Sequence, residues 1–213
     1  MLQEFRSRLY VVATAGTDPA RLASILDAAQ AATLLVMADA SAPLTATSAR
    51  PLVELAQSKD IAALINADAQ LARTLRADGV HLPWSKDVVA QYAEAREVLG
   101  NRYIVGVDVG RTRHDAMSLA EAGADYIGFG IPAHVEDRDA AAVRRRELVG
   151  WWSEIFEVPC IAFDVESAEE AVALAGQGAD FIAMRADFDL SSPATGQLAH
   201  DIAAATPQPE ATA

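Results

Sequence analysis

The sequence predicts a single-domain (β/α)8 barrel, also called a TIM barrel, on three observations. Eight apolar runs of strand length recur along the chain, and segments with helical spacing of apolar residues separate them. The length of 213 residues suits one such barrel and leaves no room for a second domain. An Asp precedes three even-numbered strands, at Asp78, Asp125 and Asp180, about two β/α units apart. An open doubly wound sheet would share this alternation and is the alternative.

The predicted strands follow one another at regular intervals. In chain order they span 9–14, 33–38, 62–67, 79–82, 103–109, 126–130, 159–165 and 181–186. The stretch 62–82 is a complete unit, because Asp68 caps a short amphipathic helix that lies between two apolar strands. We predict an N-terminal extension at 1–8, a barrel domain at 9–205 and a disordered tail at 206–213, where periodicity ends.

Composition disfavours several classes of partner. A formal charge of −13 argues against nucleic acid and against an anionic membrane surface. Neither a signal peptide nor a run of about eighteen apolar residues occurs, so we expect a cytoplasmic protein without a membrane partner. The single Cys160 is predicted to be buried, and the run 144–146 of three arginines to be a solvated helix face. Trp151 and Trp152 suit packing or a subunit contact, which leaves a homo-oligomer open.

Carboxylates are predicted to gather at the barrel mouth, because the carboxyl ends of parallel strands meet on one face. Asp39, Asp108 and Asp164 stand at or just after the ends of the second, fifth and seventh strands. With Glu166 they could hold a hard cation or a cationic ligand, or they could be separate solvated carboxylates.

Other side chains are predicted near the same mouth. Asn66 ends the third strand, and His81 lies in the short fourth strand. Trp84 follows that strand and could stack on a planar ligand ring, or it could pack on its own loop. We therefore expect a small-molecule ligand at the carboxyl-terminal face of the barrel.

The order and wording of several segments resemble one known family. These segments are LYVVAT, INADAQLARTLRADGVHL, IVGVDVGRTRHDAMSLAEAGADYIGFG, VPCIAF and GQGADFIAM, of which ADGVHL and GADYIGFG are the most specific. In the order and sequence of these segments, residues 9–190 resemble the thiamine phosphate synthase and TenI family of barrels. The resemblance implies a synthase that joins hydroxymethylpyrimidine diphosphate to thiazole phosphate with magnesium and releases pyrophosphate.

The magnesium site that the resemblance implies is only partly present. The family reads Asn-Asp-Arg after the third strand, with the Asp a metal ligand, whereas here Asn66 is followed by Ala67 and Asp68. Asp87 would supply the second ligand only with a shift of one residue. Asp39 lies in the segment where the family has the cationic residues that bind the diphosphate. Asp87 and Asp39 are therefore the metal candidates, and Mg²⁺ is the one cofactor that the resemblance suggests.

The phosphate-binding loops depart further from the family. The Ile-Gly-Gly-Ile of the seventh strand, where backbone approaches phosphate, becomes Phe-Asp-Val-Glu at 163–166. The serine expected after the eighth strand corresponds to Ala186, beside Arg185. The candidate ligand-binding residues at the mouth are Asn66, His81, Trp84, Asp164 and Arg185.

Three residues are candidates for catalysis. Asp108 replaces a serine of the family's fifth-strand motif, and Arg138 stands near the place of a lysine in the loop after the sixth strand. TenI-type members are thiazole tautomerases that use a histidine in that loop, and His134 lies there with a displacement of about three positions. A loop histidine without a role is the alternative.

These departures lead to three functional hypotheses. Loss of one preorganised donor commonly costs about 2.7 to 4 kcal/mol of transition-state stabilisation, and several are missing. We therefore interpret the chain as a divergent thiamine phosphate synthase-like protein of thiamine biosynthesis whose ordinary activity is lost or altered. The alternatives are a TenI-like tautomerase or another acid/base enzyme, and a non-catalytic binding or interaction protein. The sequence leaves open whether the chain is an enzyme.

Overall fold

Eight parallel strands close into a barrel in sequence order. The structure, a computed structural model, describes residues 6–39, 42–186 and 193–205. Each strand pairs in parallel with its sequence neighbours, and β8 pairs back to β1. This closure confirms the predicted (β/α)8 barrel and excludes the open doubly wound sheet, which would leave two strand edges unpaired.

Strands and helices alternate along the described chain. The strands are β1 Arg8–Thr14, β2 Thr33–Met37, β3 Ala62–Asn66, β4 Gly79–Leu82, β5 Ile104–Asp108, β6 Tyr126–Phe129, β7 Cys160–Ala162 and β8 Phe181–Arg185. The helices are α1 Pro19–Ala29, α2 Ala46–Gln57, α3 Ala69–Leu75, α4 Val88–Leu99, α5 Arg113–Glu121, α6 Arg138–Ile155, α7 Ala168–Gly176 and α8 Pro193–Ala205, with a short 3₁₀ turn at Gly100–Arg102. None of these helices is both long and apolar enough to span a membrane.

The observed strands differ from the predicted ones at several ends, and two of these changes have a clear structural reason. Arg8 belongs to β1, because it pairs with Phe181 and its N–H donates to the Asp180 carbonyl at 3.1 Å, so this strand starts one residue earlier than the predicted strand 9–14. β7 ends at Ala162 rather than near residue 165, since Asp164 takes a left-handed conformation with φ 55° that ends the extended chain. The predicted tail at 206–213 and residues 1–5 lie outside the described residues.

Aromatic rings fill the interior of the barrel. Tyr10, Tyr126 and Phe163 are buried inside the sheet with aliphatic neighbours from other strands. Two glycines make room for them: a Cβ on Gly106 would overlap the Tyr126 ring, and one on Gly128 would come within 2.9 Å of the Phe163 ring. The barrel is therefore packed through its centre, and the space for a ligand lies above these rings.

The repeated aspartates tie the strands together at the amino-terminal end of the barrel. Each carboxylate accepts a hydrogen bond from a backbone N–H of the preceding odd-numbered strand: Asp78 from Ala63 at 2.8 Å, Asp125 from Val105 at 2.8 Å and Asp180 from Cys160 at 2.7 Å. The repeat in the sequence thus reflects a structural role. Cys160 is buried as predicted, and burial raises the pKa of its thiol.

One of the three arginines predicted to be solvated is buried. Arg145 lies on the face of α6 that packs on the barrel, and its side chain is 0% exposed. It donates to the carbonyl of Asp164 at 2.8 Å and to that of Phe163, and it pairs with Glu170. The prediction was wrong for Arg145 because three consecutive residues span most of a helical turn, so one of them must face inward.

The tryptophan pair of α6 divides between packing and surface. Trp152 is fully buried, and its indole N–H donates to the Val158 carbonyl at 2.7 Å. Trp151 is half-buried, and the Arg113 guanidinium carbon lies 4.5 Å from its ring centre. A packing role is confirmed for Trp152, and a subunit contact stays a prediction.

Candidate functional site

A pocket of about 300 Å³ opens at the carboxyl-terminal end of the barrel, and we call it the axial pocket. Its apolar lining comes from the strands and the segment after β7: Val12, Leu35, Met37, Phe163, Val165 and Ala183, with Pro83. Its polar lining comes from strand ends and the following loops: Asn66, His81, Asp108, Arg138, Asp164, Glu166 and Arg185. The fold therefore brings together six of the ten predicted site residues.

Backbone N–H groups fix two carboxylates on one side of the axial pocket. Oδ1 of Asp108 accepts from the N–H of Gly110 at 2.7 Å and from that of Gly130 at 3.2 Å. Oδ2 of Asp164 accepts from the N–H of Ile131 at 2.8 Å. A Cβ on Gly130 would lie 2.9 Å from Oδ2 of Asp164 and closer still to that of Asp108, so the two carboxylates meet above this glycine.

The environment of Asp108 favours its protonated form. Burial raises the pKa of Asp108 from 3.8 to about 7, although the N–H groups of Gly110 and Gly130 act in the opposite direction. The nearby charge of Asp164 also raises this pKa, while that of Arg145 lowers it. A carboxyl group with a pKa near 7 can both donate and accept a proton at neutral pH, which is the property of a general acid or base.

A chain of hydroxyl groups fixes His81 beneath the pocket. Nδ1 of His81 lies 2.9 Å from the Tyr126 hydroxyl, which lies 3.1 Å from the Tyr10 hydroxyl. The imidazole stacks on the Phe163 ring with centroids 4.5 Å apart, and burial lowers the pKa of His81 to about 3. His81 is therefore a neutral ring at physiological pH and can exchange only neutral hydrogen bonds with a ligand.

Two arginines face the carboxylates of the axial pocket. Arg138 begins α6, donates to the Ile131 carbonyl at 3.1 Å and pairs with Glu166 at 3.2 Å. Arg185 ends β8, and Asn66 ends β3 on the other side of the pocket. The pocket thus combines charges of both signs in a small volume.

Trp84 and His134 lie outside the axial pocket. They line a separate surface groove of about 350 Å³, which we call the rim groove, formed by Trp84, Arg111, Thr112, Pro132, His134 and Arg144. The Trp84 and His134 rings lie 4.9 Å apart between centroids and are tilted by 34°. The predicted catalytic His134 is therefore not brought together with Asp108, since the loop after β6 carries it to the surface.

The predicted metal ligands are also separate from the axial pocket. Asp39 turns back on its own loop, where its Oδ1 accepts from the N–H of Ala42 at 2.7 Å. Asp87 occupies the N-cap position of α4, and Asp68 caps α3 by accepting from the N–H of Leu71 at 2.8 Å. Within residues 6–39, 42–186 and 193–205, no three Asp, Glu, His or Cys side chains are grouped to hold a metal ion. The donor set that the resemblance implies for magnesium therefore does not fit these residues.

Side chains occupy the segment where the resemblance implies a phosphate cup. Phe163 covers the barrel interior, Asp164 and Glu166 line the axial pocket, and Val165 packs into the core between them. Arg145 holds the carbonyls of Phe163 and Asp164 from the helix side. The sequence did not indicate this contact, because the partner arginine lies in a charged run that suggested solvent.

The Tyr10, Tyr126 and His81 chain is the second feature that the sequence analysis missed. The two tyrosines lie in predicted strands, but which face of a strand points into a barrel depends on the register of closure. Alternation of polar and apolar residues along β1 and β6 was the one available signal for the inward face. Both strands are apolar on both faces, so this signal is absent.

Comparison with known proteins places the chain in a family. Residues 9–188 match the TMP-TENI family, described as thiamine monophosphate synthase. A thiamine-phosphate synthase of Erythrobacter litoralis is 41% identical over 93 residues, which is 43% of this chain and 44% of that protein. One from Rhodospirillum centenum is 40% identical over 93 residues, or 44% of this chain and 45% of that protein. These matches thus span less than half of the length of either relative.

Fold comparison agrees over the whole barrel. A thiamine phosphate pyrophosphorylase from Pyrococcus furiosus superimposes with a TM-score of 0.73, covering 94% of this chain and 97% of that one. At 19% identity this likeness shows the fold alone. Because the family match extends from β1 through β8, the chain belongs to the thiamine monophosphate synthase family.

Proposed function

We propose that this family member has lost the ordinary synthesis of thiamine phosphate and that its axial pocket takes a small molecule with little or no negative charge. The observation that carries the proposal is the position of Asp164 and Glu166, in the segment where the resemblance implies a backbone cup for phosphate. A carboxylate side chain added beside such a backbone segment changes the local charge from favourable to unfavourable for an anion.

The size of two energy terms supports the loss of phosphate binding in the axial pocket. At an effective dielectric constant of about 20, two like charges about 4 Å apart repel by about 4 kcal/mol. Loss of a donor to developing charge costs about a further 2.7 to 4 kcal/mol. Arg138 offsets part of the repulsion, but its guanidinium already pairs with Glu166 and with the Ile131 carbonyl. A phosphate at this place would therefore have to displace existing contacts.

The diphosphate half of the family reaction lacks support as well. Of the two metal candidates, Asp39 accepts a hydrogen bond from the N–H of Ala42 in its own loop, and Asp87 lies at the N-cap position of α4, outside the axial pocket. The proposal therefore contains no magnesium-dependent step, and the family's pyrophosphate release is not expected.

Acid/base catalysis is the form of activity that the pocket favours. Asp108, with a pKa raised to about 7, lies beside Asp164 and lines the same pocket as Arg138, so it can take up or release a proton at a bound ligand. A tautomerase working from His134 is less favoured, because His134 lines the rim groove instead. A non-catalytic binding protein is the second candidate, supported by the same pocket without turnover.

The deciding experiment measures thiamine phosphate formation from the pyrimidine diphosphate and the thiazole phosphate with magnesium. We expect no turnover above background from folded protein, and steady turnover would overturn the proposal. A matched variant, Asp164→Gly with Val165→Gly, restores the glycine pair. Calorimetric titration with thiazole phosphate should show tighter binding to this variant than to the parent; equal affinity would also count against the proposed role of Asp164.

We also propose that the protein acts in the cytoplasm and without a nucleic-acid or membrane partner. The formal charge of −13 supports the absence of these two partners, because an acidic surface is repelled by phosphate backbones and anionic lipids. A homo-oligomer through the surface around Trp151 is the accompanying proposal, and sedimentation equilibrium of the full chain tests it.

A further inference from the structure

The rim groove differs from the axial pocket in its position and in the charge of its lining. It lies between the segments that follow β4, β5 and β6, and its volume of about 350 Å³ lies in the range of small-molecule sites. None of the described residues lines both the groove and the axial pocket, so a ligand in the groove does not depend on the function of the pocket.

Charge in the rim groove is positive, although the chain as a whole carries −13. Arg111, Arg144 and His134 line it, and none of its described lining residues carries a carboxylate. Arg144 pairs with Glu147 at 2.9 Å on the surface of α6, with both side chains about half exposed. Arg111 makes no hydrogen bond or ion pair with any residue that the structure describes. Two guanidinium groups facing one groove without an acidic lining are an arrangement suited to an anion.

The beginning of α5 adds to this polarity. Thr112 caps the helix by accepting from the N–H of Asp115 at 3.3 Å, so the amino-terminal end of a nine-residue helix borders the groove. Asp115 lies in that first turn and offsets part of the helix dipole, but its carboxylate is engaged by the Thr112 hydroxyl at 2.5 Å. Of the charged side chains described here, the two arginines line the groove itself, whereas Asp115 and Glu147 lie beside it.

An aromatic surface completes the groove. Gly110 has φ 62°, and a Cβ there would come within 2.8 Å of Cδ1 of Trp84, so the indole rests directly on the backbone of the loop after β5. This packing fixes the orientation of Trp84, and His134 lies against it at 4.9 Å. A ring held in this way offers a planar ligand a contact surface without a large loss of side-chain entropy.

We propose that the rim groove is a second binding site, for a phosphomonoester that carries a planar ring. Arg111 and Arg144 pair with the phosphate, and the planar ring packs on the Trp84 and His134 pair. Among the described residues the carboxylates nearest to the phosphate are those of Glu147 and Asp115, which lie beside the groove rather than in its lining, whereas three carboxylates line the axial pocket.

Calorimetric titration with phenyl phosphate, inorganic phosphate and benzoate tests the proposal. Phenyl phosphate should bind the purified full chain at least about fivefold more tightly than inorganic phosphate, because only it reaches the aromatic surface. It should also bind at least about fivefold more tightly than benzoate, which carries one charge. Equal affinity for phenyl phosphate and benzoate would overturn the assignment to phosphate, and absence of phenyl phosphate binding would overturn the site.

Four variants locate the binding. Arg111→Gln and Arg144→Gln should each weaken phenyl phosphate binding by about tenfold or more, since each removes a charge-assisted pair. Arg21→Gln removes the same charge from the exposed face of α1, and its affinity should stay within about twofold of the parent. Arg138→Gln alters the axial pocket. An affinity unchanged in Arg111→Gln, or one reduced as much by Arg138→Gln, would place the ligand elsewhere and overturn the proposal.

Discussion

The axial pocket and the rim groove, both at the carboxyl-terminal face, contrast in charge and in the way that their side chains are held. The axial pocket contains Asp108, Asp164 and Glu166 with two arginines, and most of these groups are tied to backbone or to one another. The rim groove has arginines and an imidazole at the surface, and the part of the chain that the structure describes contributes no acidic residue to its lining. Substitutions in the first should therefore alter stability and its pH dependence, whereas substitutions in the second should alter binding alone.

The largest expected effect tests how firmly the wall of the axial pocket is held. Arg145→Met removes a fully buried guanidinium that holds the carbonyls of Phe163 and Asp164 and pairs with Glu170. Loss of one partner of a buried ion pair typically destabilises by about 3 to 5 kcal/mol, because the remaining charge is left unpaired. Urea unfolding of the variant should show a decrease of this size.

The neighbouring arginines provide the matched controls. Arg146→Met alters an exposed residue of the same helix, and Arg144→Met breaks one surface ion pair. Each should change the free energy of unfolding by less than about 1 kcal/mol. Similar values for all three variants would mean that Arg145 does not support the pocket.

The second expected effect is a pH dependence that originates in Asp108. Its pKa is about 7 in the folded protein against an ordinary value of 3.8, so the folded state retains a proton that the unfolded state has released. The free energy of unfolding should therefore fall as pH rises through this window, by up to about 1.4 kcal/mol per pH unit from this group. Asp108→Asn cannot ionise, so its stability relative to the parent should increase from the acid end of the window to the neutral end.

Asp164→Asn sharpens the same measurement. The charge of Asp164 contributes to the raised pKa of Asp108, so its removal should lower that pKa and move the decrease in stability to lower pH. Unfolding by urea across the same pH window compares the three proteins. Parallel curves for the parent and Asp108→Asn would show that Asp108 titrates normally, and its proposed role as an acid/base group would then fail.

The third expected effect concerns the floor of the axial pocket. Tyr126→Phe removes the hydroxyl that joins Tyr10 to Nδ1 of His81. Two buried polar groups then lose their partner, and we expect a loss of about 1 to 3 kcal/mol in unfolding free energy. Tyr10→Phe leaves the bond between Tyr126 and His81 intact and should cost less. A larger loss in Tyr10→Phe would mean that the bond to His81 is not the more important one.

The axial pocket was largely predictable from sequence, and the reason is geometric. In a parallel barrel the end of every strand lies on one face, so the position of a residue along the chain fixes its place at the mouth. Asn66, Asp108, Asp164 and Arg185 were assigned in this way and all line the pocket. The raised pKa of Asp108 was not predictable, because it depends on burial and on backbone donors from two other segments.

The rim groove was not predictable, because loops rather than strand ends form it. Loops after strands can turn toward the barrel axis or away from it, and no periodicity indicates which. Trp84 and His134 were therefore expected at the mouth, whereas they pair with one another in the rim groove. Arg145 was missed because a run of like charges suggests solvent, although a helix that packs on a barrel must turn some positions of any run inward.

The smallest expected effect tests the rim groove as a surface feature. His134→Ala removes an exposed imidazole whose one ring contact is Trp84 in the part of the chain described, so the unfolding free energy should change by less than about 1 kcal/mol. Because His134 does not line the axial pocket, any proton transfer catalysed by Asp108 should keep its rate, and the pH dependence of stability should match the parent. Rate measurement on any substrate turned over by the parent, with urea unfolding in parallel, checks both. A loss of turnover with stability intact would connect the two cavities functionally and would restore His134 as the catalytic group.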